Sequence, residues 1–185
     1  MDSDRPVDSF ILKKSDPLKR KCSMSRSLGN VIADSLELCL SYAERLLKDV
    51  KPEQFARFAV VNGCVIESNH PAFVYGHLCL YGPRILNQFG QAGPAVPVEF
   101  ESVFSKDATC VDDPNGTIYP AMADVTQVYF DGYKSALTVL GSLGDDAFQD
   151  VNPLGGRITD LFPTLGSLHA FYCGGHMMMH LGQVS

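Results

Sequence analysis

Two histidines four residues apart, His176 and His180, flank three methionines near the end of the 185-residue chain. On a helix that spacing puts both rings on one face, with Cβ atoms about 5–6 Å apart. Two imidazoles so placed can grip one metal ion without bending the backbone. A third ligand must come from another element, and His77 is the candidate, sharing the inner face of a helix with Val74, Leu78, Tyr81 and Ile85. Three neutral imidazoles leave coordination positions open to water or substrate, the pattern of a catalytic rather than a structural site. The spacing alone suits equally well a pair of hydrogen-bonded core histidines, since a chain with five histidines sometimes places two of them four apart.

Several familiar metal sites do not fit. Met177 stands where a zinc protease helix needs its glutamate base. A di-iron bundle needs two Glu-x-x-His helices, and the one such spacing, Glu67 to His70, is pushed off a helix by Pro71. A copper site using Cys173 and the methionines is conceivable, but Met177, Met178 and Met179 point in successive directions, so most of them pack. His169, Cys173, His176, His180 and Gln183 fall on one helical stripe. His169 lies about 10 Å along the axis from His176, too far to share its ion, and reads as a core or bundle-end histidine. Gln183 either orients His180 or is an exposed terminal side chain. His70 reads as a helix-start residue, and Tyr81 as a packing residue within reach of the pocket.

The elements that must position these side chains are mostly helical. A first helix is expected over about Ser27 to Lys48, capped by Ser25 or Ser27, with Ile32, Leu36, Cys39, Ala43, Leu46 and Val50 on one stripe and Lys51-Pro52 as its stop. Asn62-Gly63 between two β-branched runs signals a small hairpin. A second helix starts at Pro71 and runs unbroken to about Phe89, where Gly90 closes it. A Pro/Gly-rich connection spans Gln91 to Tyr119, and a loop of that length tends to carry function. A third helix begins near Pro120, with Met122, Val125, Tyr129, Tyr133, Ala136 and Leu140 on one face. After a loop from Gly141 to Gly156, a fourth starts near Thr164 or Ser167 and reaches the chain end. The expected fold is therefore an all-α four-helix bundle with long connecting loops and a small β-hairpin between helices 1 and 2. Residues 1–23 are expected to be a mobile leader, with Met24 a possible original start, and residues 24–185 one domain.

Composition narrows the function. No apolar run approaches the ~18 residues that span a bilayer, and the first residues lack the apolar core of a secretory signal, so a cytoplasmic protein with no membrane partner is expected. The net charge is -6, with six basic and four acidic residues in positions 1–23 and nine basic against seventeen acidic in the rest. Such a body repels a phosphate backbone, which disfavours nucleic acid. The six cysteines form no C-x-x-C pair and read as reduced, mostly buried small side chains.

The segment from Asn69 to Tyr81, with Gly76-His77-Leu78 at its centre, followed by His176-x-x-x-His180-Leu-Gly-Gln183, resembles the DinB/YfiT-like superfamily of metal-binding four-helix bundles. The resemblance covers nearly the whole chain from Met24 onward. It implies one metal histidine from the second helix and two from the last, the matching positions being His77, His176 and His180. The chain departs from the family pattern in its longer loops and in stopping soon after the second motif. Because the superfamily includes thiol-dependent S-transferases, the resemblance implies a divalent ion, zinc or nickel before iron, that binds a low-molecular-weight thiol for attack on a small-molecule substrate, in a homodimer. A metal-dependent hydrolase is one alternative. Another is a metal-stabilised helical dimer or interaction module without turnover. Anionic thiol cofactors call for cations near the mouth, for which Arg84 and Arg157 are candidates.

Overall fold

The computed structural model describes residues 26–185. The leader expected over residues 1–23, a start at Met24 and a cap at Ser25 lie outside them. The described chain is mostly helical, with one two-stranded sheet. Among the described residues no helix is long and apolar enough to cross a membrane.

Ser27 caps α1 (Leu28–Leu47), its hydroxyl accepting from the Asn30 backbone N–H at 3.2 Å. The expected stripe is buried from Ile32 to Ala43, while Leu46 and Val50 are half-buried against the core. A short α2 (Pro52–Phe55) follows Lys51 and buries Phe55. The hairpin forms where Asn62-Gly63 places it: β1 (Ala59–Val61) pairs antiparallel with β2 (Cys64–Ile66), Val61 opposite Cys64. Both turn residues have positive φ, 51° at Asn62 and 81° at Gly63, the requirement of the turn that matches strand twist.

The second helix is not continuous. Its first part, α3 (Pro71–Cys79), is followed by two tight i→i−3 bonds, from Leu80 N to His77 O and from Tyr81 N to Leu78 O, before α4 (Gly82–Gln88) resumes. Pro83 is the physical cause, for its ring removes a helical N–H and crowds the carbonyl one turn back. The long connection also carries structure, since α5 (Glu99–Phe104) buries Phe100 and Phe104 against α3. The second long helix, α6 (Met122–Ser142), packs on α1, α3 and α4, with Val125, Tyr129, Tyr133, Ala136 and Leu140 buried as expected. The loop after it holds a 3-10 turn (Asp145–Phe148) and α7 (Gly156–Leu161).

Thr164 caps the last helical run in a reciprocal bond with Ser167. That run is interrupted: α8 (Leu165–Ala170) passes through a π-helical turn (Phe171–His176) into α9 (Met177–Leu181). The widened turn leaves the Gly174 carbonyl to accept from Cys39 Sγ of α1 at 3.9 Å. It also breaks the single regular stripe expected from His169 to Gln183. Of the three methionines only Met177 is buried, with Tyr129 Oη on its sulfur at 3.2 Å, whereas Met178 and Met179 are exposed, contrary to their expected packing role. Five cysteines among the described residues are free; Cys39, Cys79 and Cys173 are buried, Cys64 is exposed and Cys110 half-buried.

Candidate metal centre

Three helical segments bring the predicted triad together. His77 sits on the last turn of α3, His176 ends the π-helical turn, and His180 lies one turn further on α9. One potential ligand atom from each lies within 4.8 Å of the others. The ring centroids are 5.9 Å apart for His77 and His176, 4.7 Å for His77 and His180, and 4.6 Å for His176 and His180. His77 and His176 are buried and His180 half-buried. Among the described residues no carboxylate or thiol joins the three, so the donor set they form is entirely nitrogen.

The ring of His77 is held from behind. Its Nδ1 lies 2.8 Å from the Phe104 carbonyl, which can only accept, so Nδ1 carries the proton and Nε2 is left with a free lone pair. Gly76 permits this bond: a methyl there would overlap the Phe104 ring, so only glycine lets α5 lie against α3 beside His77. On the other side Gln183 lies next to His180, and Asn69 Nδ2 donates to Gln183 Oε1 at 3.0 Å. Gln183 is thus exposed but tied to Asn69 beside His180. His176 has neither support. Its Nδ1 is buried without a hydrogen-bond partner, which costs about 1–3 kcal/mol if nothing answers it.

Electrostatics keep all three rings neutral at pH 7. Burial, then the neighbouring His180 and His77, pushes His176 down to about 3. Burial, then His77, lowers His180, with the Gln183 bond opposing. Burial lowers His77, opposed by the Phe104 carbonyl. Neutral imidazoles clustered around an unanswered polar atom are the form in which a divalent ion is bound. Three converging nitrogens and one orphaned nitrogen fit such an ion.

The triad opens into a cavity of about 550 Å³. Phe73 and Tyr81 form apolar walls, and the segment after α5, with Ser105, Lys106, Thr109 and Cys110, forms the far side. Tyr81 packs its ring 4.5 Å from His176 and 5.2 Å from His77, and Arg84 stacks on Tyr81 at 5.0 Å while approaching Glu101 at 3.7 Å. Neither of the two cations expected near the mouth, Arg84 and Arg157 (the latter on α7), lines this cavity itself.

The remaining histidines fall outside the centre. His70 caps α3, with Nδ1 accepting from the Phe73 N–H at 3.2 Å and Nε2 donating to the Val111 carbonyl at 2.9 Å. His169 is fully buried with its ring 4.9 Å from Phe89. Cys173 is fully buried in the core and is not a ligand of the cluster. Sequence reasoning missed Phe104, whose contribution is a carbonyl and so has no side-chain signature; Gly76 beside His77 was its only trace. It also missed Asn69 as the partner of Gln183 and the cavity wall contributed by Ser105 to Cys110. Compared with known proteins, the chain matches no protein-family model and no curated relative.

Proposed function

We propose that the protein is a DinB-like metal-dependent transferase that holds one divalent ion, zinc or nickel before iron, on His77, His176 and His180. The observation that carries this proposal is the meeting of three neutral imidazoles at the floor of an open cavity, one of them with an orphaned buried nitrogen. The helix arrangement supports it. The long α1 and α6, together with the α3–α4 and α8–α9 runs, act as the four members of a bundle whose core side chains present the site.

His77, His176 and His180 would hold the divalent ion, and the chemistry it would supply when bound is a lowered pKa for a low-molecular-weight thiol near neutral pH. The residues of the chain have distinct tasks. The Phe104 carbonyl fixes the His77 ring, Phe73 and Tyr81 wall the reacting face, and Lys106 on the cavity wall favours an anionic cofactor. An external thiol suits the cavity: Cys110 is the one cysteine lining it among the described residues, and burial pushes its thiol up, away from the reactive form. Metal content of purified protein tests the proposal. The expected outcome is about one equivalent in the wild type and loss in His176→Ala; wild-type protein that arrives metal-free and takes up neither added zinc nor nickel would overturn it.

A further inference from the structure

Helix α1 carries a second stripe that the core does not use. Leu28, Val31, Ser35, Leu38 and Tyr42 recur at spacings of three and four residues, the repeat of a helix that packs along another helix. Leu28, Val31, Ser35 and Leu38 are exposed, Val31 to 51% and Leu38 to 63%, and Tyr42 is half-buried with the Arg45 guanidinium 5.6 Å from its ring. Asp34, Ser41 and Arg45 form a polar border on one side. On the other side runs the α8–α9 chain, where Gly174 lies against Ser35 and Met178, one turn on, is exposed again. The middle of this face is a hole beside a knob. Beyond its own helix, a methyl placed on Gly174 would meet only Ser35 Cβ, at 3.9 Å, so the space over these two small residues is open. Leu38, one turn further along α1, stands out from it.

We infer that this face receives a second copy of the chain, in a two-fold dimer whose α1 helices lie antiparallel. A knob next to a hole on one helix is self-complementary under a two-fold axis. With the axis between Ser35 and Leu38, each Leu38 enters the Ser35–Gly174 hole of the other copy, and Val31 meets Tyr42. The size of the face agrees. Its 20 residues make α1 about 30 Å long, and a neighbouring helix axis lies about 8–10 Å away, so the two helices present a face of about 30 by 20 Å. That is roughly 600 Å² per copy, enough for the smaller stable interfaces.

Sedimentation velocity of the full chain, from micromolar to sub-millimolar concentration, tests this. The wild type is expected to dimerise. Leu38→Asp should raise the dissociation constant about 100-fold, because the substitution enters the interface twice. Ser35→Leu makes the surface more apolar yet should also weaken the dimer, by about tenfold or more, because it plugs the hole. Val60→Asp, on the hairpin, where apolar side chains are also exposed, should keep the wild-type association. Far-ultraviolet dichroism at the wild-type level shows that each variant is folded, as substitution at exposed positions allows. A wild type that stays monomeric throughout overturns the inference. So does a dimer that survives Leu38→Asp or is tightened by Ser35→Leu, and a dimer lost only in Val60→Asp would place the contact on the hairpin instead. A monomeric wild type whose resistance to urea falls in Leu38→Asp would assign the face to another segment of the same chain and equally overturns the dimer.

Discussion

His169 offers a quantitative test of how this core responds to acid. It is 0% exposed, neither ring nitrogen has a hydrogen-bond partner, and Phe89 packs against the ring. Burial lowers its pKa from 6.5 to about 4. The folded protein therefore holds this ring neutral, and between those values the unfolded chain binds the additional proton. The associated stability is fully present above pH 6.5 and is lost as the pH falls toward 4. With about 1.4 kcal/mol per pKa unit, the loss between about pH 7.5 and about pH 5 is on the order of 2 kcal/mol from this residue. His169→Leu, of similar volume, removes both the titration and the two unanswered nitrogens. Urea unfolding of metal-free protein followed by circular dichroism, at the two pH values, isolates the effect, because all other groups titrate alike in wild type and variant. The wild type should lose about 2 kcal/mol more than the variant on acidification, and the variant should be the more stable at neutral pH by about 1 kcal/mol. Equal acid losses in the two proteins, or a variant destabilised at both pH values, would refute the assignment of His169 as a neutral, unpartnered core residue.

Gly76→Ala should weaken metal binding by about 10- to 100-fold, because the added methyl displaces Phe104 and with it the carbonyl that orients His77. Competition titration against a chromophoric chelator measures this, and unchanged affinity would separate the carbonyl from the metal. Asp113 is buried, which pushes its carboxyl up, but N–H bonds from Thr117, Ile118, Tyr119 and Gly116 outweigh this and hold it below the ordinary carboxylate range. Asp113→Asn should therefore cost about 1–3 kcal/mol in urea unfolding at neutral pH, and a neutral result would show these bonds to be dispensable. His176→Ala should also remove the close ring contacts with His77, His180 and Tyr81, so far-ultraviolet dichroism that stays at the wild-type level would show that its metal loss is local.

The parts of this structure that were legible in the sequence are those governed by near neighbours. Ser27 and Thr164 as caps, Asn62-Gly63 as a turn and Pro71 as a helix start all act within a few residues. The buried stripes of α1 and α6 follow from a regular period read over five turns. The kink at Tyr81 was foreshadowed by Pro83 but hidden by the apolar pattern that continues through Ile85 and Leu86. The π-helical turn carries only a glycine pair, Gly174-Gly175, as its local sign, and what it gains is a distant contact, the Cys39 thiol on a freed carbonyl. Nor did the long connection announce α5, a helix of six residues held by burial of Phe100 and Phe104 rather than by its own period. The triad itself was visible because two of its histidines lie one helical turn apart. Its surroundings were not, because Phe104 and Asn69 reach it only through tertiary folding.

The bond from His77 to the Phe104 carbonyl ties the coordination of the proposed ion to the anchoring of a surface segment. If α5 detaches, His77 loses the acceptor that fixes its tautomer, so the ring competent to bind exists only in the fraction of molecules with α5 in place, and the apparent affinity falls by that fraction. By reciprocity an ion bound as proposed would hold α5 down with the same free energy. Under the proposed function, anything that competes for the apolar seat of Phe100 and Phe104 would act as a metal-releasing effector without touching a histidine, and metal content would become a gauge of how tightly that short helix is docked.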